Sequence, residues 1–192
     1  MPSSSLFDLG GKVAVVTGGS RGIGRAICER MAEHGAKVVV SSRKLDACQV
    51  VVDAIEAKGG EAIAVACNIG RKPELQALVE AATATYGGID ILVCNAASNP
   101  YFGPMGNMAD EQFHKILQNN IVSNHWLIQM VAPQMRARKD GAIILVSSIA
   151  GVRGTPVIGA YGISKAADMQ LARNLAAEFG PDNIRVNTIA PG

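Results

Sequence analysis

Aromatic side chains are scarce in this chain: four Phe, three Tyr and one Trp in 192 residues. That is too few for the stacking platform on which single-stranded nucleic acids are held. A surplus of one charge is missing as well. Eighteen Lys and Arg face 16 Asp and Glu, a net charge of +2, which argues against a nucleic-acid-binding face. No apolar run approaches the ~20 residues that a bilayer-crossing helix needs, so no membrane role is expected. The stretch from Met1 to Gly11 lacks the basic region and apolar core of a secretory leader. Cysteines are few, and Cys28, Cys48, Cys67 and Cys94 never fall in a CxxC pair. Neither a zinc site nor a disulfide framework follows, and no metal is expected. Reduced thiols in a cytoplasmic protein are the expectation. Repeats, low-complexity blocks and linkers are also missing, so residues 1–192 read as one domain with room for a sizeable core. Hydrophobic residues at 48% and charged residues at 18% exclude a disordered chain.

What is present is an alternation of short apolar runs with longer amphipathic stretches. The runs are Val13–Thr17, Val38–Val40, Ala62–Ala66, Ile89–Cys94, Ile143–Val146 and Ile184–Ile189. Continuous β-branched runs predict strands covered on both faces, as in a parallel sheet. Between them, Ile23, Ala26, Ile27, Arg30 and Met31 follow a helical stripe, and Gly35 stands where a C-terminal glycine cap belongs. Leu45–Lys58, the stretch from Pro73 to Tyr86, Ala109–Arg138 with a late Pro133, and Ala160–Phe179 are helical in pattern. Six strands alternating with helices predict an α/β fold, a doubly wound parallel sheet in three αβα layers, the Rossmann arrangement.

The first strand runs into Thr17-Gly-Gly-Ser-Arg-Gly-Ile-Gly24, and a helix follows at once. A strand-to-helix turn carrying Gly18, Gly22 and Gly24 lets backbone approach a ligand closely, at a helix N-terminus with free N–H groups and positive potential. A pyrophosphate fits there. A ligand-free glycine turn is the bland alternative, but the place of this loop in a βαβ unit favours the dinucleotide. The spacing, GxxxGxG, departs from the common GxGxxG.

After the second strand, dinucleotide folds carry an acid for the ribose 2′-OH of NAD. Here Val40-Ser41-Ser42-Arg43-Lys44 has no carboxylate before Asp46. Ser42 and Arg43 can bind a 2′-phosphate, and Arg21 adds charge from the glycine loop. NADP(H) is therefore expected over NAD(H).

Tyr161 and Lys165 share a helix face at i and i+4. A free phenol titrates near ~10, too high for acid–base work at neutral pH, and a nearby ammonium favours the phenolate. A YxxxK pair is common by chance. Ser148 changes the odds. It ends the fifth apolar run thirteen residues before Tyr161, close enough for a loop to fold both over the C-terminal edge of the sheet, where open α/β sheets bind ligands.

Together these residues resemble the short-chain dehydrogenase/reductase family, of single-domain type. TGGSRGIG at 17–24 is similar to the family's TGxxxGxG. Asn95-Ala96-Ala97 resembles its NAG, with Ala97 in place of Gly. Ser148, Tyr161 and Lys165 match its serine, tyrosine and lysine, Asn120 its asparagine, and Pro191-Gly192 the PG after the sixth strand. Asn68, before Ile69, stands where the family has an adenine-contacting Asp. The resemblance implies a nicotinamide cofactor held by Gly18, Ser20, Arg21, Gly22, Ile23, Gly24, Ser42, Arg43, Asn68, Ile69, Asn95, Ala96, Ala97, Tyr161, Lys165, Pro191 and Gly192. It implies reversible ketone–alcohol chemistry in which Tyr161 is general acid and base and Ser148 holds the carbonyl oxygen. Lys165 is given two tasks, lowering the tyrosine pKa and binding the ribose. Asn120 supports a water relay from Lys165 to solvent; by itself it reads as a polar residue satisfying helix backbone.

The segments around Ser42-Arg43 and Asn95-Ala96-Ala97-Ser98-Asn99-Pro100 resemble the carbonyl reductase branch, and the 3-oxoacyl reductases are a similar branch. Ser98–Gly103, Tyr101, Val152 and Arg153 are candidates for the wall of the substrate site. Loop packing is an equal alternative for Tyr101 and Phe102. The rival from another class is a non-catalytic NADP(H)-binding redox sensor or scaffold. A methyltransferase has no need of YxxxK and ranks far lower. By the same resemblance, a homo-oligomer, dimer or tetramer, forms on the Ala109–Arg138 and Ala160–Phe179 helices, with Trp126 assigned to interface or core. Family members run several tens of residues past the sixth strand, so the chain is expected to be part of a longer one. Ending at Gly192, it would leave an apolar edge, with poor solubility and little activity.

Overall fold

The computed structural model describes residues 5–192. The first four residues of the segment read above for a leader lie outside the described residues. Six strands, β1 (Val13–Thr17), β2 (Lys37–Ser42), β3 (Glu61–Ala66), β4 (Ile91–Cys94), β5 (Gly141–Val146) and β6 (Ile184–Ile189), form one parallel sheet in the order β3-β2-β1-β4-β5-β6. The order turns at β1, where β2 lies on one side and β4 on the other. The crevice between those two connections, at the strands' C-terminal ends, is where a fold of this kind takes its ligand.

The helices are α1 (Gly22–Glu33), α2 (Leu45–Glu56), α3 (Lys72–Tyr86), α4 (Asp110–Leu117), α5 (Ser123–Arg138) and α6 (Gly159–Phe179). The two-residue period of the strands divides the apolar side chains between two cores. Ala14, Val16, Val38 and Val40 meet Cys28, Ala32, Cys48, Val51 and Ile55 of α1 and α2. Val15 and Val39 face the opposite side, with Leu75 and Leu78 of α3, Leu127 and Met135 of α5 and Leu175 and Phe179 of α6. Each such aliphatic side chain contributes about 1.5–3 kcal/mol when fully buried. Continuous apolar strands are thus explained by helices on both faces.

The stretch 109–138 departs from the expectation of one regular helix. Between α4 and α5 lies a π-turn, Gln118–Val122, closed by the Ser123 N–H donating to the Gln118 carbonyl five residues back. The wide turn belongs to a polar segment, and within it Asn120 is fully buried. The Asn124 side chain donates to the Asn120 carbonyl at 2.8 Å, a side-chain partner for backbone that the widened ladder reaches poorly. Pro133 lies inside α5, as expected. Trp126 packs half-buried against the larger core, with the Lys72 ammonium 5.5 Å from its ring centre. All four cysteines are unpaired and buried. Burial pushes the Cys28 thiol up to about 12 and the Cys67 thiol up to about 11, which keeps both protonated and unreactive.

Candidate active site

The glycine loop leaves β1 and enters α1 through residues that only glycine suits. Gly18 and Gly22 have φ of 67° and 53°. A β-carbon on Gly24 would lie 2.1 Å from the Gly18 carbonyl oxygen, so the turn closes only without one. Asn95, after β4, donates its amide to the carbonyls of Thr17 and Gly18 at 2.9 and 3.2 Å. The Thr17 hydroxyl in turn accepts the N–H groups of Asn95 and Ala96, each at 3.1 Å. Asn95 therefore holds the shape of the loop from beneath, and Thr17 is its partner.

The loop fits a dinucleotide pyrophosphate. Helix α1 begins at Gly22 with no side-chain cap on its first turn, so its leading N–H groups and positive dipole end are open to an anion. A β-carbon on Gly22 would meet nothing within 4 Å, leaving clear space over the turn. Ile23 presents an exposed apolar side chain beside it. Arg21 and Arg43 follow the paired strands β1 and β2, are exposed, and make no ion pair among the described residues. Ser42 is already engaged: its hydroxyl donates to the Lys44 carbonyl at 3.3 Å and lies 3.1 Å from the Cys48 sulfur. Asn68 also has a local task, its Oδ1 accepting the Gly70 N–H at 3.1 Å. Its own N–H donates to Glu74 at 2.7 Å. That bond, then the Arg71 guanidinium, holds the Glu74 carboxyl below its ordinary range against the effect of burial. Ile69 packs half-buried on the larger core.

The segments that carry Ser148 and Tyr161 meet through the backbone of Ala150 and Gly162. The Ser148 hydroxyl accepts the Ala150 N–H at 3.1 Å and caps the short turn Ile149–Gly151. That turn lies against the start of α6, where a β-carbon on Gly162 would come 2.7 Å from the Ala150 oxygen. The buried Ser147 hydroxyl donates to the Lys165 carbonyl at 2.7 Å, tying the end of β5 to the same helix. Pro191 joins here too, its carbonyl accepting the Ile149 N–H at 2.9 Å, with Gly192 beside Ile149. Tyr161 is half-buried, and its hydroxyl has no hydrogen-bond partner among the described residues. The Lys165 ammonium lies 5.7 Å from the centre of the Tyr161 ring.

Lys165 is 2% exposed. Its ammonium donates to the Val146 carbonyl at 2.8 Å and to the Asp168 carboxylate at 2.9 Å. Asp168, also buried, accepts the Asn124 amide at 3.0 Å. Burial holds its carboxyl above the ordinary range, and Lys165 and Asn124 offset that only in part. Asn120 is drawn into the same group. Its side-chain oxygen accepts the Ser98 N–H at 2.8 Å, and its amide donates to the Ser98 carbonyl and the Ser164 hydroxyl, each at 3.0 Å. Asn120 thus pins the segment after β4 onto α6.

The sequence motifs gave no task to Asp168, Asn124 and Ser164 beside Asn120 and Lys165, nor to Glu74 elsewhere. One signal was available. Asp168 is an acid on the Lys165 face of an alanine-rich helix, three residues on. Of the proposed substrate wall, Val152 and Phe102 are exposed. The Tyr101 hydroxyl donates to the Pro104 carbonyl at 3.0 Å, and Gly103 N–H donates to the Val157 carbonyl at 2.9 Å, joining the two loops.

The family described as short chain dehydrogenase matches residues 12–192. The chain belongs to this family. Its members are oxidoreductases whose fold binds a nicotinamide cofactor, acting between alcohol and carbonyl groups. Dehydrogenase/reductase SDR family member 4 of Rattus norvegicus is 42% identical over 195 residues, covering 100% of this chain and 70% of that protein. A 7α-hydroxysteroid dehydrogenase structure complexed with NADH and 7-oxo glycochenodeoxycholic acid superposes with TM-score 0.93 at 40% identity, over 97% of this chain and 72% of that one. A metagenomic short-chain oxidoreductase in complex with NADP gives TM-score 0.92 at 36% identity, over 96% and 83%. No helix among the described residues is long and apolar enough to cross a membrane.

Proposed function

We propose that this protein is an NADP(H)-dependent oxidoreductase of ketones and secondary alcohols, working in one dinucleotide-binding domain over residues 1–192. The observation that carries the chemistry is the buried Lys165 ammonium 5.7 Å from the ring centre of Tyr161, whose hydroxyl has no partner among the described residues. A nicotinamide dinucleotide held by its pyrophosphate at the glycine loop would supply or accept the hydride. Tyr161 gives a proton to the carbonyl oxygen on reduction and takes it back on oxidation. Ser148, at the end of β5, holds that oxygen by a hydrogen bond and offsets its growing negative charge. Lys165 favours the phenolate by its charge and binds the ribose. Asn120 supports a relay through water between Lys165 and solvent.

Arg21 and Arg43, without an ion pair among the described residues, and the lack of an acid at the end of β2 support NADP(H). Arg43 is the main phosphate partner because Ser42 is engaged internally. The remaining cofactor contacts are those assigned from the sequence, with Asn95 acting through the loop it holds. The Ser98–Gly103 and Val152–Arg153 segments form the substrate wall. We further propose a cytoplasmic homo-oligomer, dimer or tetramer, on α4, α5 and α6; a monomer throughout the micromolar range in sedimentation would refute it. The deciding experiment for the activity is NADPH oxidation with a panel of small ketones and diketones. Turnover supports the reductase. Tight NADPH binding with no turnover of any substrate supports a redox sensor instead.

A further inference from the structure

A buried amine beside a buried carboxylate is an arrangement that the assigned catalytic roles do not use. Burial penalises the charged form of any amine, and a carboxylate held against it offsets that penalty. A neutral amine has two hydrogens and one lone pair. With both hydrogens given to Val146 and Asp168, it would present only a lone pair to anything else. An ammonium with those two bonds made keeps a third N–H, and tetrahedral geometry fixes its direction. Of the tasks proposed for Lys165, favouring a phenolate requires the positive charge and donating to a ribose requires that third N–H.

We propose that Asp168 is the positioning residue of Lys165. Its carboxylate keeps the buried amine an ammonium, and its bond at Oδ2, together with that of the Val146 carbonyl, aims the remaining N–H. Asn124 completes the device. It donates to Asp168 Oδ1 at 3.0 Å and to the Asn120 carbonyl at 2.8 Å, so the π-turn and α6 are fastened through the carboxylate that holds the lysine. Few groups among the described residues face this pair. On α6 they are Tyr161 and Lys165 itself. Helix α5 and the π-turn contribute the uncharged Asn124 and Asn120. Strand β5 offers the Val146 carbonyl. Strand β4 contributes the Cys94 thiol, pushed up by burial and then by the Asp168 charge, and so held protonated. Asp168 is the only carboxylate placed against Lys165 among the described residues.

The inference rests on the oxidoreductase reading for its purpose, and its first test does not need turnover. The Lys165 side-chain nitrogen is followed by 15N NMR through a pH titration of the cofactor-free protein. Wild type is expected to show an ammonium through the neutral range, and a neutral amine there would overturn the proposal without any variant. In Asp168→Asn the proton is expected to leave at a pH lower by about one unit or more; an unmoved titration would overturn the proposal. The second test is the pH profile of alcohol oxidation. The pH of half-maximal rate is expected to move upward by about one unit or more in Asp168→Asn, and to return toward wild type in Asp168→Glu. A uniform loss of rate with the profile in place would mark a merely structural acid and overturn the proposal. Should Asp168→Asn fail to fold, Asn124→Ser keeps the carboxylate but frees one of its oxygens. A smaller upward shift is expected there, and an unchanged profile counts against the tether. Absence of turnover in wild type would remove the proposed activity and still leave the nitrogen titration to decide the role of Asp168.

Discussion

Gly162 and Ala150 are in backbone contact: the Ala150 carbonyl oxygen lies 2.7 Å from the place a β-carbon of residue 162 would occupy. This contact sets how the turn capped by Ser148 sits on the helix that carries Tyr161. Gly162→Ala adds helix propensity of about 0.5–1 kcal/mol but forces a strain of about 1–3 kcal/mol. A net fall in Tm of a few degrees is expected, at about 2–4 °C per kcal/mol for a chain of this size. Turnover should fall further, since misplacement by about 1 Å can cost 10²-fold. Calorimetry and steady-state rates that both match wild type would show that the contact does not position Ser148.

Cofactor choice should follow Arg43. A charge-assisted hydrogen bond is worth about 1.5–3 kcal/mol, so Arg43→Ala should weaken NADPH binding by about one to two decades. Arg21→Ala should do so to a lesser degree. NADH binding should barely change in either. Titration calorimetry with both cofactors checks this, and an equal loss for the two would remove the phosphate role.

Tyr161→Phe should abolish turnover and leave cofactor affinity nearly intact, because the ring still packs and only the transferable proton is gone. Lys165→Ala should harm both. The measurement is single-turnover kinetics beside NADPH fluorescence titration. A substantial rate in Tyr161→Phe would mean that another acid acts.

Glu74 ties pH to the turn at Asn68. Its carboxyl is held below the ordinary range, first by the Asn68 N–H and then by Arg71. A folded value below the unfolded one means that the bond stabilises the protein above the unfolded carboxyl range, about 4.3, and that this contribution is lost as pH falls through the lowered value. Glu74→Gln keeps an acceptor and removes the ionisation. Its Tm should fall below that of wild type at neutral pH, and the gap should close in acid. A gap that stays constant down to the acid transition would show that Glu74 carries no such linkage.

The elements were legible because their signals are local. Val13–Thr17 and the other five apolar runs became strands in one parallel sheet, and the stripe from Ile23 to Met31 became α1, closed by Gly35 at φ 91°. Glycine spacing, the missing acid after β2 and the Tyr161–Lys165 interval were visible for the same reason, since each depends on residues a few positions apart. What tertiary structure alone decided lies between elements. The bonds from Asn120 to Ser164 and from Asn124 to Asp168 each span 44 residues, and they exist only because the π-turn and the first residues of α5 lie against α6. The π-turn at Gln118–Val122 belongs to the same junction, and no period in the sequence marks it. Burial supplies the rest. An aspartate three residues after a lysine is an ordinary surface pair in water, worth a few tenths of a kcal/mol. Enclosed at 0% exposure against a 2% exposed ammonium, the same pair governs the charge of the site, because the water that would otherwise solvate both groups has been excluded.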